Sequence, residues 1–362
     1  MRKNIKAAVW GLGSIGSRHV EALRGMGVEL TLVVDIDEEL AKNTAEKYGA
    51  KRYSIDGKDI LETEVDCVHV CTPPNLHYEQ MVELLNRGFN VLCEKPLCFE
   101  DDQAKELYQL AKEKGCLNAI DFNIRFHIGL TEAKKVIDSD DFGDVRLIHG
   151  SYLQEFNAFP APLDWRYNKT LAGNMRAMTE IGSHWTDLAQ YMSGKKIKSL
   201  SARFANYSPE RDLKDGVMYE KGSTPGAENF TIDNDDAVVL NFLFEDGALG
   251  SCVLSEVSVG RINRLMLEIT GSRKNMWWNS EDNNVVNIGK KNEGINTFVY
   301  PFGNGFGDTL RYLFEAFYRD IERGIADGHP PYPTLYDGML NVLICNAAYE
   351  SATNGGKWVE II

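Results

Sequence analysis

Along the first third of the chain, short apolar runs alternate with stretches whose apolar residues recur every three or four positions. The runs are Ala7 to Trp10, Thr31 to Val34, Val65 to Cys71, Asn90 to Cys93 and Cys116 to Ile120. Helical spacing marks Ile15, Val20, Leu23 and Met26, then Glu38 to Tyr48 (closed by Gly49), Tyr78 to Asn86 and Glu100 to Lys114. An apolar run bounded by turn residues reads as a strand buried on both faces, and the longer period as an amphipathic helix. Their alternation predicts an α/β domain, a doubly wound parallel sheet with helices on both faces. Ligands of such sheets lie beyond the carboxyl ends of the strands. Gly11, Asp35, Thr72, Glu94, Lys95 and Asp121 to Asn123 all fall at those ends.

From about residue 123 the pattern changes. Ile128 to Ile137 reads as a helix and Val145 to Phe156 as a strand. Ile197 to Phe204, Ala237 to Phe244, Ala248 to Ser255, Arg264 to Thr270 and Asn275 to Trp278 are further strands, several joined by turns such as Glu245 to Gly247. This predicts a second, α+β domain on a mostly antiparallel sheet. The division expected is 1–122 and 123–362, with the C-terminal helix able to pack back near the first domain. Residues 206–235, polar with scattered Gly and Pro, read as a long loop serving as lid or interface arm. Two helices, Asp308 to Arg323 and Tyr336 to Ala352, close the chain.

The first strand stops at Gly11, and Gly11, Gly13 and Gly16 follow in the order G-x-G-x-x-G before a helix begins at Ser14 and Ile15. Strand, glycine turn and helix are the setting a dinucleotide fingerprint requires. Gly11 allows the turn, Gly13 lets backbone approach a pyrophosphate, and Gly16 lets the helix pack closely. The helix N-terminus offers unpaired N–H groups and a positive dipole end. Asp35, followed by Ile36, closes the second strand about 20 residues past the last glycine. A carboxylate there accepts the adenosine ribose hydroxyls and repels a 2′-phosphate, so NAD is expected in preference to NADP.

Composition narrows the partners. The 362 residues are 43% hydrophobic and 25% charged, with a formal net charge of −14. That balance fits a globular protein of two domains and argues against nucleic acid or an anionic membrane surface. No run of about 18 apolar residues occurs, and the N-terminus shows no signal-peptide core. The seven cysteines, five of them in expected strands, form no C-x-x-C pair. Reduced thiols in the cytoplasm, with no metal site, are the expectation.

Two groups carry candidate chemistry. Lys95, between Glu94 and Pro96 at a strand end, points into the ligand cleft. Glu180, His184 and Asp187 lie on a helix running to about Met192, with Ile181, Trp185, Leu188 and Met192 as its apolar stripe. Glu180 and His184, at i and i+4, are neighbours on one face. A carboxylate beside an imidazole orients it and favours its charged form, which suits proton transfer near neutrality.

Gly11 to Gly16, Thr72-Pro-Pro-Asn-Leu-His77, Glu94-Lys95-Pro96 and the Gly182-x-His184 helix together resemble the glucose–fructose oxidoreductase/inositol dehydrogenase/MocA family. Asp337-Gly338, Tyr349 to Ser351 and Lys357 to Val359 resemble its C-terminus, so the resemblance spans essentially the whole chain. It implies an N-terminal Rossmann domain and a C-terminal domain on a large open sheet, with activity on sugars or cyclitols. By that resemblance Lys95 matches the active-site lysine and His184 the acid/base histidine. Glu180 stands where the family usually has Asp, which keeps the charge and adds a methylene. Thr72, Pro73, Asn75, His77 and Glu94 match cofactor-side positions. Asn123 and Arg125 resemble an Asn-x-Arg segment, and Trp165 and Arg166 a Trp-Arg pair near cofactor and substrate. Family members form homodimers or homotetramers through the open sheet.

The expected reaction is reversible oxidation of a secondary alcohol on a sugar-like ring. His184 removes the hydroxyl proton and Lys95, as ammonium, stabilises the alkoxide; Lys95 as the base is a variant. Aromatics between Phe156 and Tyr167 suit stacking on a sugar ring. Two other readings share these residues. One is an NAD-dependent glycoside hydrolase or lyase that reduces and reoxidises its cofactor within a turnover. The other is a non-catalytic NAD-binding regulator.

Overall fold

The computed structural model describes residues 5–301, 304–325 and 330–361. The opening four residues, part of the N-terminus read above, lie outside them. The chain forms two compact units, Met1–Phe126 with Asn304–Val342, and His127–Gly303 with Leu343–Ile362. The first unit thus includes a late segment, Asn304–Val342, besides the N-terminal one.

The first unit runs β1 (Lys6–Trp10), α1 (Ser14–Gly25), β2 (Glu29–Val34), α2 (Glu38–Tyr48), β3 (Arg52–Ser54), α3 (Lys58–Leu61), β4 (Cys67–Val70), α4 (His77–Asn86), β5 (Val91–Cys93), α5 (Asp101–Lys114) and β6 (Asn118–Ile120). The six strands form one sheet in the order β3-β2-β1-β4-β5-β6, and all its pairs are parallel. Buried side chains cover both faces, which explains why the strands read as continuous apolar runs. On one face Val20 and Leu23 of α1 meet Leu310, Leu313, Phe314 and Phe317 of the helix Phe306–Arg323. On the other, Met81, Leu84 and Leu107 of α4 and α5 pack with Leu335 and Val342. Each fully buried Leu or Phe contributes about 1.5–3 kcal/mol relative to exposure, so the returning segment completes one layer of the core. Local signals hold as well. The Asp37 carboxylate accepts the Leu40 N–H at 3.0 Å and starts α2, and Gly49, at φ 71°, ends it.

The second unit is built on a nine-stranded sheet. Val145–Leu153 lies at its centre, parallel to Leu249–Ser255 and antiparallel to Arg264–Gly271; the remaining pairs are antiparallel. The helix Ser183–Ser193 covers one face, where Trp185 stacks on Phe242 with ring centroids 5.7 Å apart. The other face carries Leu147, Val239, Leu249 and Val253, all exposed. The strands Val285–Lys290 and Gly294–Val299 extend the sheet beyond what the pattern predicts; the last is exposed throughout and so lacks an apolar period.

Residues 206–235 are not a loop. Glu210–Lys214, Val217–Glu220 and Glu228–Thr231 join Ala161–Pro162 in a four-stranded sheet ordered β-strand 228–231, 210–214, 217–220, 161–162. The pattern concealed it because one buried position is Arg211, paired with Asp236 at 3.1 Å, rather than an apolar residue. Among the described residues, no helix is long and apolar enough to cross a membrane.

Candidate functional site

In the first unit the glycine turn fits a dinucleotide pyrophosphate. Gly11 has φ +91°, and a Cβ on Gly16 would fall 1.9 Å from the Gly11 carbonyl oxygen, so α1 packs on the turn itself. A Cβ on Gly13 would meet nothing within 4 Å. Space stands open at the one glycine assigned to phosphate approach. Gly13 caps α1 without a side-chain bond, and the first turn holds no acidic residue, so Ser14, Ile15 and their neighbours present main-chain donors to an anion.

Asp35 lies at the end of β2. Its Oδ2 accepts the Leu12 N–H at 2.7 Å and its Oδ1 the Asp37 N–H at 3.1 Å. The carboxylate is therefore fixed to the turn. Ile36 beside it is 93% exposed, an apolar side chain open to an adenine face.

The loop after β4 is braced from below. The Thr72 hydroxyl donates to Gln80 Oε1 at 2.5 Å. His77, expected among the cofactor contacts, is fully buried, with Nδ1 2.9 Å from the Pro96 carbonyl and Nε2 2.8 Å from that of Thr72. It ties the Thr72–Asn75 loop to the Glu94-Lys95-Pro96 loop. Pro73 is exposed and Asn75 half-buried, with its side-chain oxygen buried and unpartnered.

Glu94 and Lys95 end β5. Glu94 is buried, its Oε1 3.0 Å from His19 Nε2, and its Oε2 accepts the Lys95 N–H at 3.1 Å. His19 Nε2 also lies 3.3 Å from Asp121 Oδ2. On its other side His19 Nδ1 lies 2.9 Å from His69 Nδ1 and 3.2 Å from Cys71 Sγ, and His69 Nε2 lies 2.9 Å from the Tyr318 hydroxyl. Burial alone would lower His19, but Cys71, Asp121 and Glu94 outweigh it and hold the imidazole well above its ordinary value. Burial and the His19 charge drive His69 down, so it is neutral. Burial would raise Glu94, yet the bond and charge of His19 hold it low; burial and the Glu94 charge push Asp121 up. One proton assignment then satisfies the chain: imidazolium His19 donates to Glu94 and His69, and neutral His69 donates to Tyr318. Among the described residues, His19, Glu94 and Asp121 are the only set of three whose ligand atoms gather closely enough for a metal ion. They are joined to one another by hydrogen bonds, the arrangement of groups that share protons.

Asn123 and Arg125, expected at the substrate, are buried. Asn123 donates to Thr309 Oγ1 at 2.8 Å, and Arg125 pairs with Asp337 at 2.8 Å. Both brace late-chain helices of the first unit.

The second unit holds the remaining candidates. Glu180 lies in a π-helical turn, Met178–Gly182, and His184 in the α-helix that follows, so the expected single α-helix begins irregularly. Glu180 Oε2 accepts the Arg166 Nε–H at 2.8 Å. Arg166 also bonds Asp164 at 3.0 Å and lies over the Trp165 ring, 4.6 Å from its centroid. The π turn and the Trp165–Tyr167 turn thus gather Trp165, Arg166 and Glu180. Asp187, placed on a polar stripe by its spacing, is buried. Beneath lies a charge cluster: Arg176 donates to Glu256 at 2.8 Å and to Asp236 at 2.5 Å, and Tyr167 lies between the guanidinium groups of Arg176 and Arg211, 4.7 and 5.4 Å from their carbons.

The sequence pattern places Asp121 at a strand end but does not mark His19, His69 or Tyr318 as its neighbours. The available signal was a histidine on the buried face of α1, one residue before Val20 and three after Gly16.

Residues 5–122 match the model of the oxidoreductase family with an NAD-binding Rossmann fold, and 130–276 match the GFO/IDH/MocA C-terminal domain. The chain belongs to the Gfo/Idh/MocA oxidoreductase family. It is 28% identical to levoglucosan dehydrogenase of Pseudarthrobacter phenanthrenivorans, over 99% of this chain and 98% of that one. It is 25% identical to myo-inositol 2-dehydrogenase of Thermotoga maritima, over 96% of each. A solved structure of levoglucosan dehydrogenase in complex with NADH and L-sorbose superposes with a TM-score of 0.90, at 26% identity over 99% of both chains. The protein is accordingly an oxidoreductase with an NAD-binding Rossmann domain.

Proposed function

We propose that the protein reversibly oxidises a secondary alcohol of a sugar, sugar derivative or cyclitol. His184 takes the hydroxyl proton, oriented with the help of Glu180. The Lys95 ammonium hydrogen-bonds the substrate oxygen and stabilises the alkoxide charge developing there. NAD, when bound, supplies the hydride acceptor. The chain supplies placement: Gly11, Gly13, Ser14, Ile15, Gly16, Asp35 and Ile36 hold the nucleotide, and Thr72, Pro73 and Asn75 flank it. Trp165 and Arg166 serve both cofactor and substrate, and Arg166 holds the Glu180 carboxylate by its ion pair. His77, Asn123 and Arg125 act from behind, by bracing.

The observation that carries this reading is the disposition of one sheet. Its β1 and β2 ends bear the glycine turn and Asp35, and its β5 end bears Lys95. The substrate class is supported by the relatives, named for levoglucosan and myo-inositol, both rings with several secondary hydroxyls. The test is absorbance at the reduced-nicotinamide band with NAD and a panel of free sugars, cyclitols, sugar phosphates and glycosides, beside Lys95→Ala. NADH that accumulates with one class and is lost in the variant supports the proposal. NAD binding without turnover of any compound contradicts it.

Seven free, buried cysteines support a cytoplasmic setting. The row of Leu147 beside Leu249 and Val253 beside Val239 on the exposed sheet face supports a homodimer or homotetramer closed over that face.

A further inference from the structure

We propose that His19 is a positioning residue for Lys95, acting through Glu94, so that the cofactor-binding helix and the lysine are held as one piece. The proposal rests on the role given to Lys95 above. Its observation is a two-ended bridge. One oxygen of the Glu94 carboxylate meets His19 Nε2 at 3.0 Å, and the other accepts the main-chain N–H of Lys95 at 3.1 Å. His19 stands in α1, whose N-terminus carries the glycine turn. Its ring is fully buried, wedged edge-on against Phe314 with centroids 4.8 Å apart, so it cannot turn aside. A carboxylate with one fixed oxygen has little freedom left for the other. Pro96 has no N–H and the Glu94 N–H donates to the Val70 carbonyl at 2.9 Å, so the Lys95 amide is the main-chain donor left between β5 and Leu97, and the Glu94 carboxylate takes it.

The network behind His19 points the same way. His69, Cys71 and Tyr318 surround Nδ1 and its continuation, while Glu94 and Asp121 surround Nε2. The donors and acceptors are arranged so that the imidazole has two N–H groups to give and two sides that accept them. A buried carboxylate that lost such a partner would turn toward another donor and release the lysine backbone. Misplacing a charged group by about 1 Å costs on the order of a hundredfold in rate.

Two isosteric variants separate this role from packing. In His19→Gln the side-chain amide nitrogen reaches the place of Nε2 and still donates to Glu94. In His19→Asn the amide reaches only the place of Nδ1. The readouts are hydrogen exchange of the Lys95 amide, followed on the peptide around Glu94-Lys95-Pro96, and the split between kcat and KM for NAD. The expected result is Lys95 exchange at least about tenfold faster, and kcat about tenfold lower, in His19→Asn, with KM for NAD within about threefold. His19→Gln restores most of both. Equal behaviour of the two variants, an unchanged Lys95 amide in His19→Asn, or a loss confined to KM for NAD overturns the proposal. Should His19→Asn not fold, Glu94→Gln decides, because one oxygen cannot serve both partners: full Lys95 protection with wild-type kcat refutes the bridge. Lys95→Ala at wild-type rate would instead remove the role given to Lys95 and leave the exchange result standing.

Discussion

The carboxylate of Asp35 is bonded to the main-chain N–H of Leu12 at 2.7 Å, so the end of β2 and the glycine turn of β1 are one rigid object. Asp35→Asn keeps the shape but replaces one acceptor by a donor that faces the Asp37 N–H. The expected outcome is a rise of about tenfold or more in the Kd for NAD, with a narrower preference over NADP. Titration of intrinsic fluorescence with both nucleotides checks it; an unchanged Kd for NAD would remove Asp35 from the site.

The glycines separate fold from binding. A Cβ at Gly16 lies 1.9 Å from the Gly11 oxygen, whereas one at Gly13 meets nothing. Gly16→Ala is expected to lower the thermal midpoint and weaken NAD binding together. Gly13→Ala is expected to melt like wild type yet bind NAD at least about tenfold more weakly. Calorimetry of both variants, with and without NAD, reads the difference.

Arg166 and Glu180 form the polar pair of the second unit at 2.8 Å. Arg166→Gln leaves a partly buried carboxylate with a weaker partner. A fall of about 10- to 100-fold in kcat/KM is expected, with the thermal midpoint little changed because the arginine is partly exposed. A variant of wild-type kcat/KM would leave Arg166 a surface contact.

The buried cluster around His19 sets a pH dependence of stability. Its folded value is raised above 6.5, so its stabilisation is complete below that pH and is lost as pH climbs through the folded value. Asp121 has the same sign: raised from 3.8 to about 7, it keeps a proton in the folded chain that the unfolded chain has released, and stability falls across that window. The thermal midpoint should therefore decline from pH 6.5 upward more steeply in wild type than in His19→Gln. Parallel slopes would contradict it.

Arg211 anchors the small sheet. It pairs with Asp236, which Arg176 also holds, all three nearly inaccessible. Arg211→Ala leaves Asp236 over-exposed to burial without its second cation, and a loss of about 3–5 kcal/mol is expected by chemical denaturation. A loss under about 1 kcal/mol would mean the cluster is internally compensated.

Much of this was legible because glycine turns and buried parallel strands leave strong local marks. Gly11 to Gly16, Asp35 and Lys95 all stand at strand ends that apolar runs define. What local pattern does not carry was lost. Arg211 fills a position where a strand pattern calls for an apolar residue, so the small sheet read as a loop. Glu180 and His184 keep the same spacing in a π turn as in an α-helix, so the irregular start was invisible. Asn123 and Arg125 read as substrate contacts, and their bracing partners, Thr309 and Asp337, lie 186 and 212 residues away, beyond the reach of local pattern. His19 looked like one more residue on a core-facing helix, since only the fold brings Glu94 and Asp121 to it.

Stoichiometry distinguishes net oxidation from internal redox. With the best substrate of the panel, NADH formed is counted against substrate consumed and keto product recovered, in wild type and Lys95→Ala. One NADH per substrate and per keto product is expected, with turnover lost in Lys95→Ala. Substrate consumed without accumulating NADH would contradict it and assign the protein to internal-redox hydrolysis or elimination.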